Sequence, residues 1–103
     1  MILYNVTVQT DPEIEQDWIR WMQQEHIPEI LATGLFTEAR LCRLTGQEAD
    51  SAPTYAAQYF LPSQGAYDRY LAEYAPLMRQ KGLDRFGSRF VAFRTVLEVL
   101  STH

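Results

Sequence analysis

The residues best suited to chemistry lie near the end of the first predicted helix, where a carboxylate and an imidazole are adjacent. Glu25 and His26 follow Trp18 and Trp21 at helical spacing. On a regular helix of about 100° per residue, Glu25 falls within the apolar stripe of the tryptophans and His26 at its margin. A buried carboxylate must be paired or protonated, and both residue types can transfer protons near neutral pH. Glu25 and His26 are therefore candidate catalytic residues.

Structural roles also account for these residues. The last helical turn can project beyond the sheet and leave Glu25 in water, and a charged His26 suits the negative end of the helix dipole. His26 and Glu29 have i, i+3 spacing, but the only other histidine is His103 and the only cysteine is Cys42. This set is poor for a metal, and the sequence lacks a phosphate-binding glycine loop or a dinucleotide fingerprint. We expect no metal and no cofactor.

Aromatic residues complete a predicted pocket for a small apolar or aromatic molecule. The rises of about 1.5 Å per helical residue and about 3.3 Å per strand residue place Glu25 level with Tyr4. A neighbouring strand, if parallel, would begin near Tyr55. Tyr74 lies on an aromatic helical face, which is usually core and otherwise the wall of a site for a flat ligand. The predicted ligand-binding residues are Tyr4, Trp18, Trp21, Tyr55 and Tyr74.

Two residue periodicities predict the elements that position these side chains. Alternation with a period of two predicts strands at residues 2–9, 35–44, 54–60 and 90–100. Asp11 and Ser63 are candidate N-caps for helices that reach about residues 27 and 81. Pro28 is expected to end the first helix and start a short one over residues 28–33, and Gly82 to end the second after a break near Pro76.

The order β-α-β-β-α-β predicts an α+β fold. It is the split arrangement of ferredoxin-like domains, in which a four-stranded antiparallel sheet, in the order 4-1-3-2, carries two helices on one face. The 103 residues suffice for one such domain, over residues 1–103.

The second face of this sheet predicts a homodimer. In the last strand we assign the more apolar residues, Val91, Phe93, Thr95, Leu97 and Val99, to the helices. The other face then combines apolar and polar residues, namely Leu3, Asn5, Thr7, Phe60, Phe90, Ala92 and Arg94. A face this apolar marks an interaction surface, and a second copy packed sheet against sheet would form a dimeric α/β barrel.

Polar residues on that face allow two interpretations. Asn5, Glu38, Arg40 and Arg94 either form hydrogen bonds and ion pairs that join the dimer, or recognise an anion in a cavity between the sheets. Two function hypotheses follow. The first is a cofactor-independent enzyme on an apolar or aromatic substrate, with the acid–base pair on the first helix. The second is a non-catalytic ligand-sensing or assembly module that uses the cavity between the sheets.

Composition excludes several classes of protein. The formal charge is −4, which disfavours nucleic-acid binding. No run of about 18 apolar residues is present, so we expect no membrane span. The first residues lack the charged start of a secretory signal, and we expect a cytoplasmic location.

Several sequence runs together resemble a known family. They are residues 4–8, 18–22, 25–29, 32–36, 85–87 and 90–95. Over nearly the whole chain they resemble domain-of-unknown-function family 4286. The resemblance implies a small dimeric α/β-barrel protein with a ferredoxin-like protomer and implies no established activity. The wider dimeric α/β-barrel group, to which the architecture is similar, includes cofactor-independent monooxygenases and haem-degrading enzymes, and the second helix here lacks a histidine for haem.

Overall fold

The computed structural model describes all 103 residues and confirms the predicted α+β architecture. The strands form one antiparallel sheet in the order β2-β3-β1-β4. Its elements are β1 (Ile2–Thr10), α1 (Glu15–Trp21), α2 (Ile27–Leu31), β2 (Glu38–Arg43), β3 (Thr54–Leu61), α3 (Gln64–Glu73), α4 (Ala75–Phe86) and β4 (Phe90–Glu98). None of the helices is long and apolar enough to span a membrane.

The first helix begins as predicted but continues past its expected end. Asp11 caps a 3₁₀ turn at Pro12–Ile14, because its carboxylate accepts a hydrogen bond from the Glu13 amide at 2.9 Å. Between α1 and α2 the chain forms a π-helical turn, Met22–His26, in which the Ile27 amide donates to the Met22 carbonyl. Pro28 lies in the first turn of α2, where a proline is tolerated. The predicted short helix at Pro28 is therefore present, but it follows α1 through the π turn without an interruption.

The second helix breaks near its predicted position and ends later than predicted. Ser63 caps α3 by accepting a hydrogen bond from the Ala66 amide at 3.2 Å. The break between α3 and α4 lies at Tyr74, where φ is −127°. Gly82 lies buried inside α4, and the helix ends at Gly87, whose φ of +59° favours glycine. The predicted stop at Gly82 is wrong because that glycine meets a packing requirement.

The faces of β4 are opposite to our assignment. Residues paired across an antiparallel ladder share a face, and Val8, buried under the helices, pairs with Ala92. Val91, Phe93 and Leu97 therefore point away from the helices and are 51%, 62% and 46% exposed. β4 is an edge strand, and most of its residues are exposed on both faces. Its hydrophobic pattern alone therefore does not indicate which face the helices cover.

We call the uncovered side of the sheet the open face. It includes Leu3, Asn5, Thr7, Gln9, Glu38, Arg40, Cys42, Ala56, Gln58, Phe60, Val91, Phe93, Thr95 and Leu97. The opposite side carries the core of 17 buried hydrophobic residues. At its centre Tyr4 packs against Tyr67 and Tyr70, with ring centroids 5.3 and 5.9 Å apart.

Candidate functional site

A cavity of about 60 Å³ lies between the helices and the covered side of the sheet. We call it the helix–sheet cavity. Strand residues of β1, β3 and β4 form its floor, and Trp18, Trp21, Met22, His26, Met78 and Gly82 form its helical walls. Twelve of its 16 lining residues are hydrophobic, so the few polar groups among them would orient a ligand.

Gly82 gives the cavity one of its walls. A Cβ at this position would lie 3.4 Å from the Phe90 ring and 3.7 Å from Trp21. The absence of a side chain therefore leaves room between two aromatic residues. A glycine within an otherwise regular helical pattern is the sequence signal for such a close approach.

His26 is the only histidine that lines this cavity. Its ring stacks on Trp21, with centroids 4.3 Å apart and an angle of 17° between the planes. Burial lowers the pKa of His26 to about 4, a shift that Lys81 reinforces and Glu29 opposes. The imidazole is therefore neutral at pH 7 and offers one lone pair and one N–H group. Its Nδ1 atom is buried and has no hydrogen-bond partner.

Glu25 lies outside the cavity. Its side chain is 53% exposed, and the nearest charged partner is Arg85, 3.8 Å from its carboxylate. Each residue of a π turn advances less around the helix axis than in an α-helix, so the turn moves His26 into the apolar stripe and Glu25 to its edge. The expected burial of Glu25 is wrong because we assumed a regular helix. Glu25 and His26 do not form a pair.

The other polar groups of the cavity belong to two arginines and to the tyrosines Tyr4, Tyr59 and Tyr70. Arg79 of α4 donates a hydrogen bond to the Tyr4 hydroxyl at 3.5 Å. Arg94 of β4 lies directly across from Val6 of β1, on the covered side of the sheet. The expectation that Arg94 belongs to the open face is wrong, because it followed from the reversed faces of β4.

Tyr55 and Tyr74 lie elsewhere in the core. Tyr55 pairs with Val8, four residues beyond Tyr4, because β1 and β3 are antiparallel. The Tyr55 hydroxyl donates to the Glu15 carboxylate, and its ring packs on Trp18 at 5.1 Å. Tyr74 stacks on Tyr70 at the break between α3 and α4. Neither residue lines the cavity, in contrast to Tyr4, Trp18 and Trp21.

The remaining predicted polar residues lie on the open face. Arg40 pairs with Glu38 at 3.3 Å, and its guanidinium lies 5.2 Å from the centre of the Phe60 ring. Asn5 donates to the Thr7 hydroxyl at 3.0 Å and accepts from Gln58 at 3.4 Å. These groups thus find partners within one protomer.

Comparison with known proteins now identifies the family. The model of a domain of unknown function, DUF4286, matches residues 1–100. The chain belongs to the DUF4286 family. No curated protein matches it.

Solved structures share the fold of this DUF4286 protein at low sequence identity. HapK from Hahella chejuensis has a TM-score of 0.72 and 12% identity, covering 100% of this chain and 96% of its own. A dimeric ferredoxin-like protein from an uncultured marine organism has a TM-score of 0.66 and 8% identity, with coverages of 99% and 97%. SnoaB, a cofactor-independent oxygenase from Streptomyces nogalater, has a TM-score of 0.53 and 17% identity, with coverages of 98% and 95%.

Proposed function

We propose that this protein binds a small, flat, largely apolar molecule in the helix–sheet cavity and moves a proton of that molecule through His26 without a cofactor. The observation that carries the proposal is the neutral His26 ring, stacked on Trp21 in an apolar cavity. Two buried side-chain polar atoms have no partner, Thr10 Oγ1 and His26 Nδ1, and of these two residues only His26 lines the cavity. Buried polar atoms nearly always have partners, so the exception favours contact with a ligand.

The proposed chemistry is an isomerisation. An acidic C–H proton of the ligand passes to the free imidazole nitrogen, and the bonding electron pair stays on the ligand as an enolate. Return of the proton to a different ligand atom restores neutral His26. No electrons leave the ligand, so the step needs no oxidant or reductant. An anion that develops beside the ring favours imidazolium and raises the pKa of His26 from about 4 toward neutrality during the reaction.

The fold supports this proposal by analogy. SnoaB, which has the same fold, is a cofactor-independent oxygenase. Proteins that share one fold can catalyse different reactions. The analogy therefore supports catalysis without a cofactor, and the type of reaction is inferred from the residues of the cavity.

We propose a homodimer in which two open faces pack together. Val91, Phe93 and Leu97 are large apolar residues, about half exposed in the protomer, and they lie on one face of β4, where Thr95 separates Phe93 from Leu97. Exposed apolar patches mark interfaces. The marine ferredoxin-like protein, which shares this fold, is dimeric.

The second hypothesis, a non-catalytic module with a ligand between the sheets, has weaker support. Arg94 lies on the other side of the sheet, and the Arg40 guanidinium is paired with Glu38. The open face therefore offers amide and hydroxyl groups from Asn5, Thr7 and Gln58, which suit hydrogen bonds across an interface.

The proposal can be tested with benzoylacetone, a flat, uncharged molecule with an acidic C–H group. Its conversion from enol to ketone is followed by loss of the ultraviolet absorbance of the enol. We expect the protein to accelerate this conversion and His26→Gln to reduce the acceleration by roughly 100-fold, a typical contribution of a general base. Glu25→Gln is the matched control, because Glu25 is adjacent but exposed, and it should retain the rate.

Binding is measured separately from the rate. The chain has two tryptophans, and both line the cavity, so the two indole N–H signals of ¹⁵N-labelled protein report on it directly. Benzoylacetone should shift both signals in the wild type and in His26→Gln. An unchanged rate in His26→Gln would overturn the role of His26. Absence of any indole shift would overturn binding in the cavity.

A further inference from the structure

The basic side chains of this protein divide into paired and unpaired groups. The chain has nine lysines and arginines. Six of them lie within 4 Å of a carboxylate, namely Arg20, Arg40, Arg69, Lys81, Arg85 and Arg89. Arg43 donates to the Tyr55 hydroxyl and lies over the Tyr55 ring. Three therefore have no carboxylate within 4 Å, and of these Arg79 and Arg94 line the helix–sheet cavity, whereas Arg43 does not.

These two guanidinium groups act on the same place in the cavity. Arg79 reaches it from α4 and donates to the Tyr4 hydroxyl, and Arg94 reaches it from β4. Burial raises the pKa of Tyr67 and Tyr70, and both arginines oppose that rise. Both side chains are also partly exposed to solvent, which places them where the cavity opens. Two positively charged side chains thus line the solvent-exposed part of an otherwise apolar cavity.

Two like charges in one cavity are unfavourable without a counter-ion. The protein has 13 acidic residues and a formal charge of −4, so carboxylates are abundant, yet none lies beside Arg79 or Arg94. A guanidinium group binds a planar carboxylate through two parallel hydrogen bonds. The tyrosine hydroxyl of Tyr4 adds a neutral donor or acceptor.

We propose that the ligand of the helix–sheet cavity is an aromatic carboxylate, whose anionic group Arg79 and Arg94 hold at the mouth. This inference rests on the proposed function, because it assumes a ligand in the cavity. The flat part of the ligand extends from the arginines into the region of Trp21 and His26. In this arrangement Arg79 and Arg94 bind and orient the ligand, and His26 faces its apolar part.

Benzoate and benzamide provide a matched pair of probes, since they have the same shape and differ in charge. Binding is followed through the two indole N–H signals. We expect benzoate to bind the wild type at least about tenfold more tightly than benzamide, as hydrogen bonds to charged groups predict. Arg79→Gln and Arg94→Gln should each weaken benzoate binding by roughly tenfold and leave benzamide binding unchanged.

Arg20→Gln is the control for net charge, because Arg20 is an exposed residue paired with Asp17 on the outer surface of α1. Both cavity arginines are also exposed, so their variants should fold, and the amide spectrum verifies this. Equal affinities for benzoate and benzamide would overturn the carboxylate inference and leave the proposed function standing. An equal loss of benzoate affinity in Arg20→Gln would also overturn it, in favour of a general charge effect. Absence of any indole shift with benzoate would overturn the carboxylate inference, and absence of a shift with benzoylacetone as well would overturn the proposed function.

Discussion

The two sides of the sheet carry similar residue types but differ in how their polar groups are satisfied. On the open face, Arg40 is paired with Glu38, and Asn5 is hydrogen-bonded to Thr7 and Gln58. In the helix–sheet cavity, His26 Nδ1 has no partner, and Arg94 makes no hydrogen bond with another side chain or ion pair. A surface whose polar groups are already satisfied suits a second protein copy, and one whose groups lack partners suits a ligand.

A charged residue among the apolar residues of β4 on the open face should break the proposed dimer and spare the cavity. Phe93→Glu places a carboxylate among these residues and should raise the dimer dissociation constant by on the order of 100-fold or more. Light scattering should then report a mass of 11.9 kDa, that of one chain. Leu83→Glu is the control, because Leu83 is an exposed apolar residue of α4 outside the open face. Dissociation of both variants, or of neither, would contradict the assignment of the interface.

His26 should make the stability of the protein depend on pH. Its pKa is about 4 in the folded protein and 6.5 in an exposed state, so the unfolded chain binds more protons between these values. The free energy of unfolding should fall by up to about 3 kcal/mol as the pH drops from 6.5 to 4, and this contribution should be constant below 4.

The pH effect of His26 is isolated by comparing urea denaturation of the wild type and His26→Gln across this range. The slope specific to His26 should vanish in the variant. The control is His103→Gln, which removes the exposed C-terminal histidine and should keep the slope. If the free energy of unfolding of His26→Gln changed with pH as steeply as that of the wild type, other titratable groups would be the cause of the pH dependence.

Narrowing the cavity should separate binding from stability. Gly82→Ala removes a glycine from the interior of α4 and should stabilise the fold by about 0.5–1 kcal/mol. The added methyl group contacts Phe90 and Trp21, so benzoate should bind more weakly. Urea denaturation and the indole signals measure the two effects. Gly65→Ala in α3 is the control, since its Cβ meets only Ser63 and should leave binding unchanged. Stronger binding in Gly82→Ala would contradict the position of the cavity wall.

The smallest expected effect compares one arginine from each side of the sheet. Arg40→Gln removes an exposed ion pair on the open face and should weaken the dimer by roughly threefold, without an effect on benzoate binding. Arg79→Gln should leave the dimer unchanged and reduce benzoate affinity. Sedimentation equilibrium and the indole signals provide both readouts for both variants. Weaker dimerisation of Arg79→Gln, or weaker benzoate binding by Arg40→Gln, would show that the two sides of the sheet are not independent.

Much of the fold followed from local patterns. Alternating residues identified the four strands, and Asp11 and Ser63 were recognised as caps because their side chains satisfy the first amides of a helix. The sheet order followed from the order of the elements. Boundaries differed from the prediction where packing decided them, and Gly82 is the clearest case, because its role depends on Phe90 and Trp21 from distant elements.

The candidate site was predictable only in part. Tyr4, Trp18, Trp21 and His26 line the cavity, as the sequence had suggested for a ligand pocket. Glu25 was misplaced because a π turn is not visible in helical periodicity. Arg79 was missed because nothing local marks an arginine that lacks a carboxylate, a property that depends on every neighbour in space.

The sequence by itself determined the family, the α+β architecture and the presence of an unusual imidazole beside two tryptophans. These features depend on local periodicity, capping and composition, which act over a few residues. Only the tertiary structure decided which face of β4 is covered, which of Glu25 and His26 is buried, and which arginines lack partners. Those outcomes depend on strand register and on one extra residue in a helical turn, and both are fixed by packing between elements far apart in the chain.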